Sequence, residues 1–376
     1  MSPPRLALVA LLGWAVGCGG EPARPSLSAS APPSPSSAPS ASTTPAASAT
    51  PAANSTAAAP GASYKSLSRG DGSVLDAMLR AGDDAMRAGD YQAAMAAYGD
   101  ARELAEGDPA PMVGLARAML AARDVPEQFG VGAGNPTLQS AIDLLESAHA
   151  VAPLYGPALV ELGRAYLALG DAERASQALE SAVRIERDDV EARSSLGIAQ
   201  LALGDVDAAL TALRRAAELE PTAARLGNLG TVLLAAGRPG EAIPVYQRAL
   251  AQRPDDPQLA NDLGTALSSE GRAAEALPHL ERAVSLAPKL ATAKQNLGFC
   301  VHALGDRKRA EALYREALAL DPKLASAWLN LGNLLAQDGK YGDARKAYEA
   351  ARSLDPSDPR VLSAFSDLDE LERAKK

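Results

Sequence analysis

A 34-residue period runs from about Leu75 to Asp358, and no other feature of this 376-residue chain limits its fold so tightly. In register, eight segments begin at Leu75, Pro109, Gly156, Val190, Ala223, Pro257, Ala291 and Ala325. All eight carry alanine at position 20: Ala94, Ala141, Ala175, Ala209, Ala242, Ala276, Ala310 and Ala344. All eight carry it again at position 27: Ala101, Ala148, Ala182, Ala216, Ala249, Ala283, Ala317 and Ala351. Position 8 is glycine in seven (Gly82, Gly163, Gly197, Gly230, Gly264, Gly298, Gly332) and Ala116 in the second. Position 24 is always Tyr or Leu: Tyr98, Leu145, Leu179, Leu213, Tyr246, Leu280, Tyr314 and Tyr348.

Each position has a mechanical reading. Small residues at 8, 20 and 27 let two helices approach closely, and large ones at 7 and 24 fill the space around the contact. Glycine near position 15 (Gly89, Gly170, Gly204, Gly237, Gly271, Gly305, Gly339) ends a first helix in a left-handed conformation. Proline at position 32 in six repeats (Pro153, Pro221, Pro254, Pro288, Pro322, Pro356) stops a second helix, because it has no amide to donate and its ring clashes. One repeat is thus a helical hairpin with an apolar face it cannot bury alone; stacked neighbours bury those faces in a continuous core. Such an array points to a binding surface rather than to an enzyme.

The pattern resembles the tetratricopeptide repeat (TPR) family over residues 75–358, with Trp328 and Tyr166 at the family's aromatic positions 4 and 11. Departures are local. The second repeat has Arg123 in place of the turn glycine and is 13 residues longer than the period, and the third has Arg187 where proline is usual. The resemblance implies an all-α superhelical solenoid of about eight helix-turn-helix repeats: 75–108, 109–155, 156–189, 190–222, 223–256, 257–290, 291–324 and 325–358. A final helix over 359–376, with Phe365, Val361, Leu362 and Leu368 on one side, reads as the cap that keeps the last seam out of water. An aromatic content of only 4% suits alanine-rich seams.

The first 73 residues are a different object. Met1–Gly17 reads as a signal peptide, with Arg5 ahead of a 12-residue apolar run too short for a stable membrane anchor. Ala15-Val16-Gly17-Cys18 resembles the lipobox of bacterial lipoproteins, which implies diacylation of Cys18 as the mature N-terminus; an ordinary signal peptide is the rival reading. Residues 18–73 then form a disordered tether, since Glu21–Ser63 is almost wholly Ala, Pro, Ser and Thr and has too little apolar surface to bury. The solenoid occupies 74–376. Gly19 after the cysteine favours outer-membrane sorting, so the expected location is the cell envelope, on an outer-membrane lipid anchor facing the periplasm; the alternative is a secreted or periplasmic soluble protein.

Net charge is −9; residues 1–73 hold four bases and two acids, which leaves the repeats 33 bases and 44 acids. That balance argues against nucleic acid and against an electrostatic grip on anionic lipid. His149, His279 and His302 lie in different repeats, and Cys300 is a lone packing cysteine, so neither a catalytic constellation nor a metal or cofactor site is expected. Gly130–Gly134 lacks the lysine of a phosphate loop.

In the family, positions 2, 5, 6, 9, 12 and 13 of the first helices line a concave groove that takes a protein or peptide partner. Position 6 reads Asn228, Asp262, Asn296 and Asn330 in repeats five to eight, with Asn333 added at position 9. The row resembles the asparagine ladder of repeats attached to protein-glycosylating transferases, and an amide row can hold a peptide backbone because it both donates and accepts; bonding within the solenoid is the competing reading. Position 12 passes from apolar (Leu167, Leu201, Leu234) to Ser268, His302 and Ala336, implying a groove greasy in one half and polar in the other, with packing as the alternative. Position 5 lacks the lysines of the chaperone-binding carboxylate clamp. The 124–137 insertion breaks the period and is read as a loop; Phe129 and Val131 are its apolar contact candidates, and Thr137 is placed to cap the next helix. The expected function is a membrane-anchored interaction scaffold of the bacterial envelope, assisting a pilus, secretin or outer-membrane machine. The alternative is a non-catalytic subunit presenting substrate to an envelope glycan or peptidoglycan enzyme. Oligomeric state is not encoded in any of these features.

Overall fold

The computed structural model describes residues 65–122, 129–130 and 132–374. Those residues contain seventeen α-helices and no strand. The hairpins are α1 (Val74–Ala88) with α2 (Tyr91–Leu104), α3 (Pro109–Ala122) with α4 (Pro136–Val151), α5 (Gly156–Leu169) with α6 (Ala172–Ile185), and α7 (Val190–Leu203) with α8 (Val206–Leu219). They continue as α9 (Ala223–Ala235) with α10 (Pro239–Gln252), α11 (Pro257–Ser269) with α12 (Ala273–Leu286), α13 (Ala291–Ala303) with α14 (Arg307–Leu320), and α15 (Ala325–Gln337) with α16 (Tyr341–Leu354); α17 (Pro359–Ala374) follows. The described residues fall into two compact units, one ending at Pro221 and one starting at Thr222. Within each unit a second helix packs on the first helix of the next hairpin, and successive first helices touch, forming an inner layer.

The turn inside each hairpin is set by one backbone choice. The seven glycines near position 15 have φ between 71° and 93°. The residue after them caps the next helix where it is aspartate: Asp90, Asp171, Asp205 and Asp306 each accept an amide from the first turn. The second helices all stop at position 30, and the next residue takes φ between −126° and −140°. This holds where position 32 is Glu106 or Arg187, so proline reinforces the stop without being required for it.

Packing follows the period closely. The sixteen alanines at positions 20 and 27 are each at most 2% exposed. Each position-8 glycine lies under the position-24 side chain of its own hairpin. A Cβ on Gly82 would stand 2.4 Å from the Tyr98 ring and one on Gly332 2.4 Å from Tyr348. Burying each of these large side chains contributes about 1.5–3 kcal/mol.

Three expectations are corrected. In α17, Val361, Ala364 and Leu368 are buried and Phe365 is half-buried, but Leu362 is 52% exposed, one helical position off the apolar stripe. Phe365 meets Tyr348 edge-on, with ring centroids 5.6 Å apart, under the guanidinium of Arg352. The cap of α4 is Asn135, whose side chain accepts from the Thr137 and Leu138 amides; Pro136 fills the first helical position and moves the boundary ahead of Thr137. Finally, residues 65–73, assigned above to the tether, pack on the first hairpins, because acids on α1 bind their backbone amides. The signal segment, Cys18 and the stretch up to residue 64 lie outside the described residues.

Candidate functional site

The inner layer of the first unit carries ionisable groups at positions that face a neighbouring chain segment. Asp76 and Asp83 lie seven residues apart on α1, two turns along one face. Asp83 Oδ2 accepts the amides of Leu67 (2.8 Å) and Ser68 (3.1 Å) and the Ser66 hydroxyl (2.6 Å), while Oδ1 accepts the Tyr98 hydroxyl at 2.8 Å. Asp76 Oδ1 accepts the next two amides, Arg69 (2.5 Å) and Gly70 (2.8 Å), and Oδ2 takes Arg80 at 2.9 Å. Four consecutive amides therefore converge in pairs on two carboxylates. Successive amides of an extended strand point to opposite sides, so this segment is curled, in the manner of an anion-binding nest. The Gly70 amide, together with the Arg69 amide and the Arg80 charge, outweighs desolvation and holds the Asp76 carboxyl below its ordinary range.

The segment crosses further helices. Arg117, at position 9 of α3, donates to the Lys65 carbonyl (2.9 Å) and to Glu161 Oε1 on α5 (2.7 Å). Both side chains are nearly inaccessible, at 4% and 7% exposure, and Arg164 Nη1 stands 3.6 Å from Glu161 Oε2. Burial pushes the Glu161 carboxyl up, but the Arg117 and Arg164 charges outweigh it and hold it below the ordinary value. Leu67 is 3% exposed, and ion pairs of Lys65 with Glu186 and Arg69 with Asp108 flank the strap. The inner face of the first hairpins thus holds a chain segment through its backbone, with one leucine supplying the apolar contact.

In the second unit the amide row is partly used up sideways. Asp262 and Asn296 are buried. Asn296 Nδ2 donates to Asn261 Oδ1 (2.9 Å) and Thr265 Oγ1 (3.0 Å), Gln258 donates to Asp262 (2.9 Å), and Ser326 donates to Gln295 (2.8 Å). The bonds of Asn296 and Ser326 tie α11, α13 and α15 together, while that of Gln258 stays within α11. Asn228, Asn330 and Asn333 are half-buried; Asn333 accepts the Tyr348 hydroxyl at 2.8 Å, and the Asn330 Nδ2 has no hydrogen-bond partner among the described residues. His302 is half-buried, with its Nε2 3.0 Å from Gln337 Oε1. Of the expected greasy stretch, Leu167 and Leu201 are core residues at 1% and 2% exposure, and only Leu234 is half-buried.

The insertion is anchored to its own unit. The Gly130 amide donates to Leu167 O and the Gly132 amide to Ala168 O, both at 2.9 Å, on the last turn of α5. Phe129 is half-buried, and Val131 lies outside the described residues. Cys300 is fully buried and donates to Ala273 O, and burial raises its thiol pKa, which leaves it a packing residue. Among the described residues no cluster of three or more His, Cys, Asp or Glu is placed to hold a metal, and no helix is long and apolar enough to cross a membrane.

Sequence reasoning missed Asp76, Asp83, Arg117 and Glu161. The available signal was Leu67, a lone apolar residue between Ser66 and Ser68 just ahead of the Gly70-Asp71-Gly72-Ser73 turn.

Paired helices, small residues at their crossings and a polar inner layer define a helical-repeat interaction scaffold. Family models described as tetratricopeptide repeat match residues 137–196, 170–231, 228–291 and 303–359, together more than half of the chain. The chain belongs to the tetratricopeptide repeat family. Among solved structures it is similar to the APC/C hetero-tetramer Cut9–Hcn1 (17% identity, TM-score 0.52, covering 78% of this chain and 55% of that one). It is also similar to PilW, a type IV pilus biogenesis factor (18% identity, TM-score 0.49, 56% and 98%), and to Pseudomonas aeruginosa pilF (25% identity, TM-score 0.42, 50% and 85%). The chain thus spans little more than half the length of the Cut9–Hcn1 chain it matches. No curated protein matches it.

Proposed function

We propose that the protein is a lipid-anchored scaffold of the bacterial envelope that binds a peptide or helix of a protein partner on the inner layer of its repeats and assists assembly of an envelope machine. One observation carries the binding part: Asp83 and Asp76 hold four successive backbone amides of residues 67–70, so this layer can retain a chain segment without reading most of its side chains. Anchoring through Cys18 and exposure to the periplasm rest on the lipobox-like sequence. In the second unit the half-buried Asn228, Asn330, Asn333, His302 and Leu234 are the residues offered to a partner, and Phe129 and Val131 of the insertion are further contact candidates in the first.

Photo-crosslinking in cells tests this. A photoreactive residue at Asn330 or Asn333 should give a discrete covalent product with another protein, and one at exposed Lys346 on the opposite layer should not. Equal products from both layers would remove the inner-face reading. A pilus, secretin or outer-membrane component in the product supports the assembly role; a hydrolase or transferase points to substrate presentation instead.

A further inference from the structure

We infer that Lys65–Gly70 is an exchangeable occupant of a peptide site on the inner face of α1, α3 and α5, and that a partner segment of the same chemistry displaces it; this rests on the inner layer being the binding surface. The chemistry is specific: a hydroxyl residue, a leucine and a small residue whose amides, with the next two, are available in pairs.

Three observations point to exchange rather than to a fixed part of the core. First, the strap is joined to the inner face mostly by its backbone. Its amides meet Asp83 and Asp76, its Lys65 carbonyl meets Arg117, and beyond Ser66 and Leu67 its side chains contribute exposed ion pairs. Exposed pairs of that kind are screened by water and hold the strap only weakly. Another segment with a leucine and free amides can therefore satisfy the same acceptors. Second, the strap meets α1 through Gly70 and Gly72, both at positive φ (70° and 72°) and in open space, so this link can turn without disturbing the helices, and the buried Leu67 is the packed side chain it withdraws. Third, the acceptors persist when it leaves. Asp83 keeps the Tyr98 hydroxyl, Asp76 keeps Arg80, and Arg117 keeps Glu161. The site is thus already formed before a ligand arrives, apart from two carboxylates that water or a new set of amides must satisfy.

The short link makes the strap a strong competitor. A tethered segment acts at an effective concentration on the order of millimolar, so a free peptide of about 0.1 mM intrinsic affinity is weakened about tenfold while the strap is seated. A partner must therefore offer more contacts than the strap does or arrive at high local concentration, which confines binding to an assembled partner.

The test uses the full chain and a fluorescent peptide of residues 63–72, capped at both ends. Fluorescence anisotropy should show binding to L67A/S68P, which removes the leucine and one of the amides, at least tenfold tighter than to the unaltered chain. Adding D83N should abolish that binding. Equal affinity for the two proteins, or none for a folded L67A/S68P chain, would overturn the inference. If L67A/S68P loses its helical circular dichroism, native-state hydrogen exchange of the unaltered chain decides. Amides 67–70 must then exchange at least a hundredfold faster than those in the middle of α2; exchange only with global opening makes the strap a permanent cap. Failure here leaves the crosslinks from Asn330 and Asn333 intact, whereas failure of the inner-face reading removes them.

Discussion

Replacing Arg117 with methionine isolates the most consequential polar contact of the first unit. Methionine keeps the length of the stem and removes the charge. In the folded chain Arg117 and Glu161 are 4% and 7% exposed and 2.7 Å apart, so the change leaves a carboxylate in a site from which water is excluded. Breaking a buried pair by removing one partner costs about 3–5 kcal/mol. Arg164, 3.6 Å from the other oxygen, returns part of that, and loss of the bond to the Lys65 carbonyl adds about 1 kcal/mol. The expected net cost is about 3–4 kcal/mol at neutral pH. Repeat arrays open in parts, so the readout is hydrogen exchange of α3 and α5 amides, expected to quicken by two to three powers of ten. The sign of the pH dependence is diagnostic. In the unaltered chain the charges hold the Glu161 carboxyl below its ordinary value, so the pair's contribution is full above the ordinary carboxylate range and is lost as pH falls through the lowered pKa. In the variant the desolvation that already opposes ionisation dominates and the pKa rises. The defect should therefore shrink as pH drops from 7.5 toward 4.5 and Glu161 protonates. Adding E161M should recover most of the loss. A cost below 1 kcal/mol with no pH dependence would mean that the pair is solvated and that the packing described for α3 and α5 is wrong.

Four further outcomes follow from the packing and the sequence. G332A should destabilise the second unit by about 1–2 kcal/mol, because its Cβ meets the Tyr348 ring at 2.4 Å and overpacking outweighs the gain in helix propensity; G99A in α2, with nothing within 4 Å, should stabilise by about 0.5–1 kcal/mol, and urea unfolding that treats the two alike refutes the crossing geometry. Y348F should cost about 1 kcal/mol by losing the bond to Asn333, whereas Y314F should be neutral or stabilising in thermal unfolding, since that buried hydroxyl has no partner among the described residues. Replacing residues 124–134 by a short glycine turn should cost about 1–2 kcal/mol, because the Gly130 and Gly132 amides leave the end of α5, although Leu167 O retains the Gly170 amide; hydrogen exchange at the end of α5 reads this, and unchanged protection there sinks it. C18A should abolish fatty-acid labelling and move the protein to the soluble fraction; labelling that persists in the variant rejects the lipobox.

The repeats were legible in the sequence because each diagnostic position answers to the sterics of one residue type. Alanine at 20 and 27, glycine at 8 and the turn glycine each have one physical reason, and eight copies repeat it. The inner layer was less legible, since a polar side chain there can either face a partner or bond to the neighbouring repeat, and the choice depends on a residue some 35 positions away. Asn296 bonds to Asn261 across that separation, whereas Asn330 has no equivalent partner, although both occupy position 6. The strap was hidden for a related reason: nothing in Asp76 or Asp83 themselves marks a backbone partner until the chain ahead of them folds back.

Position 9 shows how a period constrains and where it stops. Where position 24 is tyrosine, its hydroxyl reaches position 9 of the same hairpin, and that residue is Asp83, Thr231 or Asn333 in repeats one, five and eight, each accepting the bond. In repeat seven the same place holds Phe299, and the Tyr314 hydroxyl is left without a partner among the described residues. The hairpin contact therefore selects a polar group at a position that also faces inward. In repeat one that group is a carboxylate with an oxygen to spare, and the strap takes it. Binding capacity on this layer grows out of packing: an acceptor recruited to satisfy a buried tyrosine has lone pairs left over, and a passing backbone can use them.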